Sequence, residues 1–174
     1  MDLEFLDRSP RALEKRARKF EDWLVKLPRW HGHFTWTPNP APHWAVPGKP
    51  LAESRVALVT SAGVHLKSQP RFDVVSPDGD WSYRVIPADA GPGDFVISDT
   101  HYDHVDADQD INCIFGLQRL HELAAGGVVG EVAPRHFGFM GFIPEPAELV
   151  RTTAPEAADQ LVEDEVDLVF LTPG

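Results

Sequence analysis

From Arg55 to Leu171 the chain alternates short apolar runs with turn residues and with stretches whose apolar positions recur every three or four residues. Arg55 to Thr60 (RVALVT) is an unbroken, partly β-branched run closed by Ser61-Ala62-Gly63. That is the pattern of a parallel strand buried on both faces and feeding a turn. Trp81 to Ile86 (WSYRVI), following the turn signal Pro77-Asp78-Gly79, alternates as a second strand. Phe95 to Ile97, Val128 to Val132 and Val166 to Leu171 (VDLVFL) read as further short strands. Helical spacing occurs in three places. Residues 10 to 27 set Leu13, Ala17, Phe20, Leu24 and Leu27 at alternating steps of four and three, with Ser9 as cap and Pro10 in the first helical position. Ile111 to Ala125 puts Ile114, Leu117, Leu120 or His121, and Leu123 or Ala124 on one face, and Gly126-Gly127 ends it. Thr153 as cap and Pro155 in the first turn open a last helix that runs through Leu161-Val162.

Strands and helices in this order predict an α/β fold: a three-layer, Rossmann-like domain with a mostly parallel sheet over residues 54–174. Residues 1–53 form an amino-terminal helix and an extended arm. Between Pro28 and Pro50 lie six prolines, Trp30, Trp36, Trp44, His31, His33 and His43, a density of proline that forbids helix and interior strand. The apolar face of the first helix is expected to dock on the main domain or on a partner subunit. The chain stops on a strand, VDLVFL followed by Thr172-Pro173-Gly174. Function in such folds concentrates in the loop after a strand, and the following crossover helix covers the sheet. The domain is therefore expected to be incomplete at its carboxyl end, with sheet edge and apolar surface uncovered.

Composition supports one domain with its own core: 174 residues, 43% hydrophobic and 10% aromatic. The formal charge of -11 argues against nucleic acid or an anionic membrane as partner, because such surfaces draw affinity from clustered Lys and Arg. The charge is uneven. Residues 1–50 hold nine Lys/Arg against six Asp/Glu, residues 51–110 four against eleven, and residues 111–174 three against ten. One cysteine excludes an internal disulfide and any multi-cysteine metal site within the chain. No apolar run of membrane-spanning length occurs, and the acids in MDLEFLDRSPRAL do not fit a signal peptide, so a cytoplasmic protein is expected.

The chemistry concentrates in Ser98 to Cys113, SDTHYDHVDADQDINC, which packs His101, His104, Tyr102, five aspartates and the sole cysteine into sixteen residues. Asp108 or Asp110 falls at a predicted helix start, where free backbone N–H groups favour a carboxylate. The working group that remains is His101, Asp103 and His104. Cys113 is expected to be a small buried packing residue. His65 follows the turn after the first strand, at the carboxyl end where open α/β sheets place ligands. Arg135 and His136, a fixed cation beside a titratable ring, follow the Val128 to Val132 strand. His31 and His33 at i, i+2 are spaced to share a metal, although histidine beside tryptophan in an ordered loop is more often packing than ligation. The turn after the first strand lacks GxGxxG or GxxxxGK[ST], leaving a nucleotide site unsupported.

Four stretches, SRVALVTSAGVHLKSQPRFD, GDWSYRVIP, ISDTHYDHVDADQDINCIFGLQRLHELAAGGVVGEVAPRHFGFMGFI and VDLVFLTPG, closely resemble the selenoprotein B components of the glycine, sarcosine, betaine and D-proline reductases. The most distinctive segments are THYDH, DINCIFGLQRL and PRHFGFMG. The resemblance implies reductive cleavage of a carbon–nitrogen bond in an amino acid or its N-methylated relative. A selenolate displaces the amine, and the resulting selenoether passes to partner subunits with thiols as final electron source. It also implies a pyruvoyl group on a partner subunit in several of these complexes, and a selenocysteine or cysteine just after Gly174. Such a chalcogenolate is ionised and strongly nucleophilic at neutral pH. Under this reading His101, Asp103 and His104 position and protonate the leaving amine or hold a substrate carboxylate, and His65, Asn112, Arg135 and His136 contact a small amino-acid-like substrate, with Arg135 offering a bidentate fork to its carboxylate. No metal is implied. Two other readings stand beside it. THYDH is similar to the THxHxDH zinc signature of metallo-β-lactamase-type hydrolases, short by one histidine and two residues of spacing. The first helix and the absent nucleophile also fit a non-catalytic partner subunit. Sequencing the DNA past codon 174 is expected to show an in-frame UGA followed by a cysteine-bearing continuation; another stop codon without one overturns that expectation.

Overall fold

The computed structural model describes residues 45–100 and 102–173. The predicted helix over residues 10 to 27 and the His31, His33 pair lie outside the described residues. In chain order the strands are β1 (Arg55–Thr60), β2 (Val64–Leu66), β3 (Tyr83–Pro87), β4 (Phe95–Ile97), β5 (Glu131–Val132), β6 (Arg135–Phe139) and β7 (Leu168–Thr172), and the helices are α1 (Leu117–Ala125) and α2 (Ala154–Glu163).

β1 is paired along both edges. β7 runs parallel to it from Val56↔Leu168 to Thr60↔Thr172. Along the other edge β5 and β6, also parallel, pair in succession, and β3 closes that side antiparallel to β6. β2 and β4 form a separate antiparallel ribbon. The result is a mixed α/β domain with a partly parallel sheet. Because side chains alternate along a strand, β1 feeds both faces. Val56 and Leu58 join Ile86, Phe95, Phe115, Leu117 and Leu120 in one buried cluster under α1. Each aliphatic side chain so buried contributes roughly 1.5–3 kcal/mol. On the other face Arg135 and Tyr83 reach α2 through Gln160.

Several elements are shorter than their sequence patterns. Ile111 to Ala125 is a 3-10 turn over Ile111–Cys113, then α1 from Leu117. The break falls at Ile114, whose carbonyl accepts the Thr172 hydroxyl at 2.7 Å and that of Thr60 at 3.4 Å instead of serving a helix. Val128 to Val132 contracts to two strand residues, because the Val128 and Val129 N–H groups close the end of α1 on the Leu123 carbonyl. A π-helical turn, Leu149–Thr153, leads into α2, so Thr153 does not cap it; its hydroxyl donates to the Trp81 carbonyl at 2.7 Å. Arg135 and His136 lie inside β6 rather than in a loop after a strand. β7 leaves Val169, Phe170 and Leu171 exposed, at 39%, 61% and 71%.

The β5–β6 edge contains an irregularity that explains His136. Between the pairs Val56↔Val132 and Val59↔Phe137, β1 has two residues and its partner has four, 133 to 136. The ladder cannot continue through this bulge, and Pro134 has no N–H to give it. The buried Leu58 N–H is met instead by His136 Nδ1 at 2.9 Å. His136 is fully buried against the Phe115 ring, and burial pushes its pKa down to about 4. With Nδ1 accepting, the ring is the neutral Nε2–H tautomer.

Since His136 resists protonation only when folded, the unfolded chain takes up its proton first as pH falls. The stabilisation is complete above the ordinary value of 6.5 and drains away towards pH 4. Urea unfolding is expected to show a loss of about 3 kcal/mol across that window. His136→Leu should cost about 1–3 kcal/mol at pH 7 through the stranded Leu58 N–H, and should flatten the slope to the part carried by His65, which burial also shifts down. An unchanged slope in the variant would contradict the assignment.

Candidate functional site

The carboxyl ends of β1, β6 and β7 lie together, and the Ser98 to Cys113 stretch is laid across them. Its first residue donates its backbone N–H to the Gly63 carbonyl at 3.0 Å. Tyr102 donates its hydroxyl to the Ala62 carbonyl at 2.9 Å. The Ile114 carbonyl, just past the stretch, takes the hydroxyls of Thr60 on β1 and Thr172 on β7. Burial, with Asp99 and Asp108 nearby, raises the Tyr102 phenol well above its ordinary range, so it stays a neutral donor.

Beside this crown lies an apolar crevice of about 470 Å³. Val59, Phe139, Met140, Ile143 and Leu171 supply hydrocarbon and ring surface, and Ser61, Thr172 and Pro173 complete its rim. Asp99, 2% exposed, does not line the crevice and is packed against Gly63 and Gly141. Two glycines admit it. A Cβ on Gly63, whose φ is +68°, would lie 2.8 Å from the Asp99 Cβ and 3.2 Å from Met140 Sδ. A Cβ on Gly141 would lie 3.2 Å from Asp99 Oδ2 and 2.9 Å from the Ser61 carbonyl. Loops after β1, β4 and β6 thus meet around one buried acid, next to an apolar cleft at the strand ends, the usual place for a ligand in such sheets.

The residues singled out from sequence are distributed more widely. His101 lies outside the described residues. Asp103 Oδ1 accepts the Val105 N–H at 3.1 Å. His104 is edge-on to Tyr102 and pairs with Asp108 at 2.9 Å, one helical turn on. Asp110 caps the 3-10 turn by accepting the Asn112 N–H and side-chain amide, and this holds its carboxyl below the ordinary range. Asn112 also donates to Gln118. His65 is buried, with Nδ1 2.8 Å from the Leu66 carbonyl and Nε2 2.7 Å from Ser98 Oγ. Burial lowers its pKa, so Nδ1 donates and Nε2 accepts the Ser98 hydroxyl.

Arg135 and His136 sit at the opposite end of β6 from the crevice. The Arg135 guanidinium is taken up by Asp164 at 2.7 and 2.8 Å, Glu163 at 3.1 Å and Gln160 at 3.0 Å, contacts that hold it firmly protonated. Cys113 is exposed, against the expectation of a buried packing residue. The 3-10 turn sends Ile111 inwards and leaves the cysteine on its outer side. Among the described residues no three His, Cys, Asp or Glu side chains converge as a metal site, and no helix is long and apolar enough to cross a membrane.

The profile described as glycine/sarcosine/betaine reductase selenoprotein B matches residues 40–174. The D-proline reductase subunit gamma of Acetoanaerobium sticklandii is 43% identical over 78% of the chain and 55% of its own length. Two glycine reductase complex component B gamma subunits, from Carboxydothermus hydrogenoformans and Symbiobacterium thermophilum, are 29% and 26% identical over 92% of the chain and 38% of their lengths. The chain therefore spans between about two fifths and just over half of these relatives. No solved structure matches it.

Replacing Gly63 by Ala forces a side chain into a left-handed backbone and onto Asp99, and is expected to cost about 1–3 kcal/mol. Tyr102→Phe, which removes only the bond to the Ala62 carbonyl, should cost about 1 kcal/mol. Thermal unfolding of both variants checks this ranking.

Proposed function

The chain belongs to the glycine/sarcosine/betaine reductase selenoprotein B family, and from that premise we propose that it forms the substrate-facing wall of an amino-acid reductase subunit acting by reductive carbon–nitrogen cleavage. The crevice at the ends of β1, β6 and β7 is the observation that carries this reading. Thr172 and Pro173 are among the residues that line it. The selenocysteine or cysteine that the resemblance expects just after Gly174 would supply the nucleophile that displaces the amine.

The chain's own residues bind and shape. Val59, Phe139, Met140, Ile143 and Leu171 exclude water from the reacting carbon. Tyr102 and Ser98 bond to the turn after β1, and His104, paired with Asp108, lies edge-on to Tyr102. His104 is the group proposed to hand a proton to the departing amine. Arg135 keeps α2 on the sheet in this arrangement. The faces covered by α1 and α2 belong to a three-layer, Rossmann-like domain, the partners are the other subunits of a reductase complex in the cytoplasm, and thiols supply the electrons.

The hydrocarbon lining favours a ring over glycine, and the D-proline reductase relative shares more identity than the two glycine reductase subunits. A cyclic secondary amino acid of the D-proline type is therefore the substrate class proposed. The test uses the full-length subunit assembled with its partner subunits and a dithiol. Ring-opened amino acid should form from D-proline faster than amine is released from glycine, sarcosine or betaine. Faster turnover of an acyclic substrate would overturn the substrate class, and no dithiol-dependent turnover of any of the four would overturn the function.

A further inference from the structure

We propose that Ser61 is the polar anchor of the crevice and that its hydroxyl donates to the carboxylate of a bound amino-acid-like ligand. The described residues that line the crevice carry no charge, and only three of their side chains can donate a hydrogen bond: Thr60, Ser61 and Thr172. Two of the three are engaged in the fold. Thr60 and Thr172 both donate to the Ile114 carbonyl, at 3.4 and 2.7 Å, and Thr60 Oγ1 also accepts the Ala62 N–H at 3.2 Å. Ser61 is half-buried, and its hydroxyl has no hydrogen-bond partner among the described residues and is not sealed from the surface. The backbone of the same turn offers no substitute. The Ser61 N–H donates to the Thr172 carbonyl at 3.0 Å, that of Ala62 to Thr60 Oγ1, and that of Gly63 to the Phe139 carbonyl at 2.8 Å. All three N–H groups of the turn join β1 to its surroundings, which leaves the Ser61 hydroxyl as the donor of the turn that a ligand can reach.

The scarcity of donors decides which end of the ligand the anchor takes. An ammonium or ring N–H can turn to water or to backbone carbonyls. A carboxylate only accepts, and in this crevice Ser61 is the side-chain donor open to it. Arg135, the cation with the geometry to grip a carboxylate, lies at the opposite end of β6 in the hold of Asp164. Ser61 is also fixed in position. Its N–H is tied to β7, and its carbonyl lies 2.9 Å from where a Cβ on Gly141 would stand, so the loop after β6 packs directly against it. A largely apolar cleft with one placed polar group is the usual make-up of a small-molecule site, hydrocarbon giving affinity and the polar group giving orientation. With its carboxylate on Ser61, the ligand lays its hydrocarbon part against the apolar lining supplied by β1, β6 and β7.

The inference rests on the reductase reading for the identity of the ligand, and its test reads binding apart from turnover. The probes are cyclopentanecarboxylate, a ring with a carboxylate and no amine, and pyrrolidinium, a ring with the nitrogen and no carboxylate. Each is titrated by NMR into the full-length subunit assembled with its partners. Cyclopentanecarboxylate should bind the wild type and bind Ser61→Ala about tenfold more weakly, as expected of losing one hydrogen bond to a charged group. Pyrrolidinium binding and the melting temperature of that variant should stay near those of the wild type. Ser61→Cys, similar in shape and a weak donor, should weaken the carboxylate in the same sense. In turnover Ser61→Ala should raise KM by about tenfold while kcat changes less. Failure of the wild type to bind cyclopentanecarboxylate overturns the inference without any variant. Unchanged carboxylate binding by Ser61→Ala overturns it too, as does an equal loss of both probes. A wild type that turns over no amine yet binds the carboxylate through Ser61 upholds the anchor and removes only the reductase reading. Turnover with carboxylate binding indifferent to Ser61 removes only the anchor.

Discussion

The double pairing of β1 is the constraint on which the rest of the structure depends. A six-residue strand with β7 on one edge and β5 and β6 on the other must satisfy its backbone away from water, because unpaired buried N–H and C=O groups are costly. Where the partner strand bulges at Ala133-Pro134, the Leu58 N–H has no ladder acceptor, and the His136 imidazole takes that place. A residue type associated with proton transfer is here a substitute backbone carbonyl. Its burial and its depressed pKa follow from that position.

The same logic builds the crown. Parallel strands that end together present their last carbonyls and hydroxyls in one direction. The chain segment crossing them is held by those groups: Gly63 and Ala62 carbonyls take Ser98 and Tyr102, and the Thr60 and Thr172 hydroxyls share the Ile114 carbonyl. Crevice and crown are therefore consequences of sheet order. β6 and β7, far from β1 in sequence, bring Phe139, Met140 and Leu171 to the end of β1, and the cleft is lined from all three.

The strand cations are each engaged within the fold. Arg135, at the start of β6, meets the carboxyl end of α2, where Asp164 and Glu163 bind it and where a cation also suits the helix dipole. Arg55, at the start of β1, pairs with Glu131 in the same way. Arg84, on the antiparallel β3, lies at the other end of the sheet opposite Gly138, with its guanidinium 4.2 Å over the Phe72 ring.

The apolar runs at β1, β4 and β7 and the helix ending at Gly126-Gly127 were legible in the sequence. Each rests on local rules: β-branched runs make strands, and glycine stops helices. The family, too, was legible, because unusual segments such as THYDH and PRHFGFMG carry the resemblance without reference to geometry. What local pattern could not supply was partnership. Arg135 looks the same in sequence whether it greets a substrate or α2, Ile114 gives no sign that two threonines will claim its carbonyl, and Asp99 is one of five aspartates in a short segment. Those outcomes depend on which strand ends become neighbours, a matter of contacts tens of residues apart. Local spacing determined the elements; tertiary pairing decided which side chains remained to face the cleft, because the others were consumed in closing the sheet.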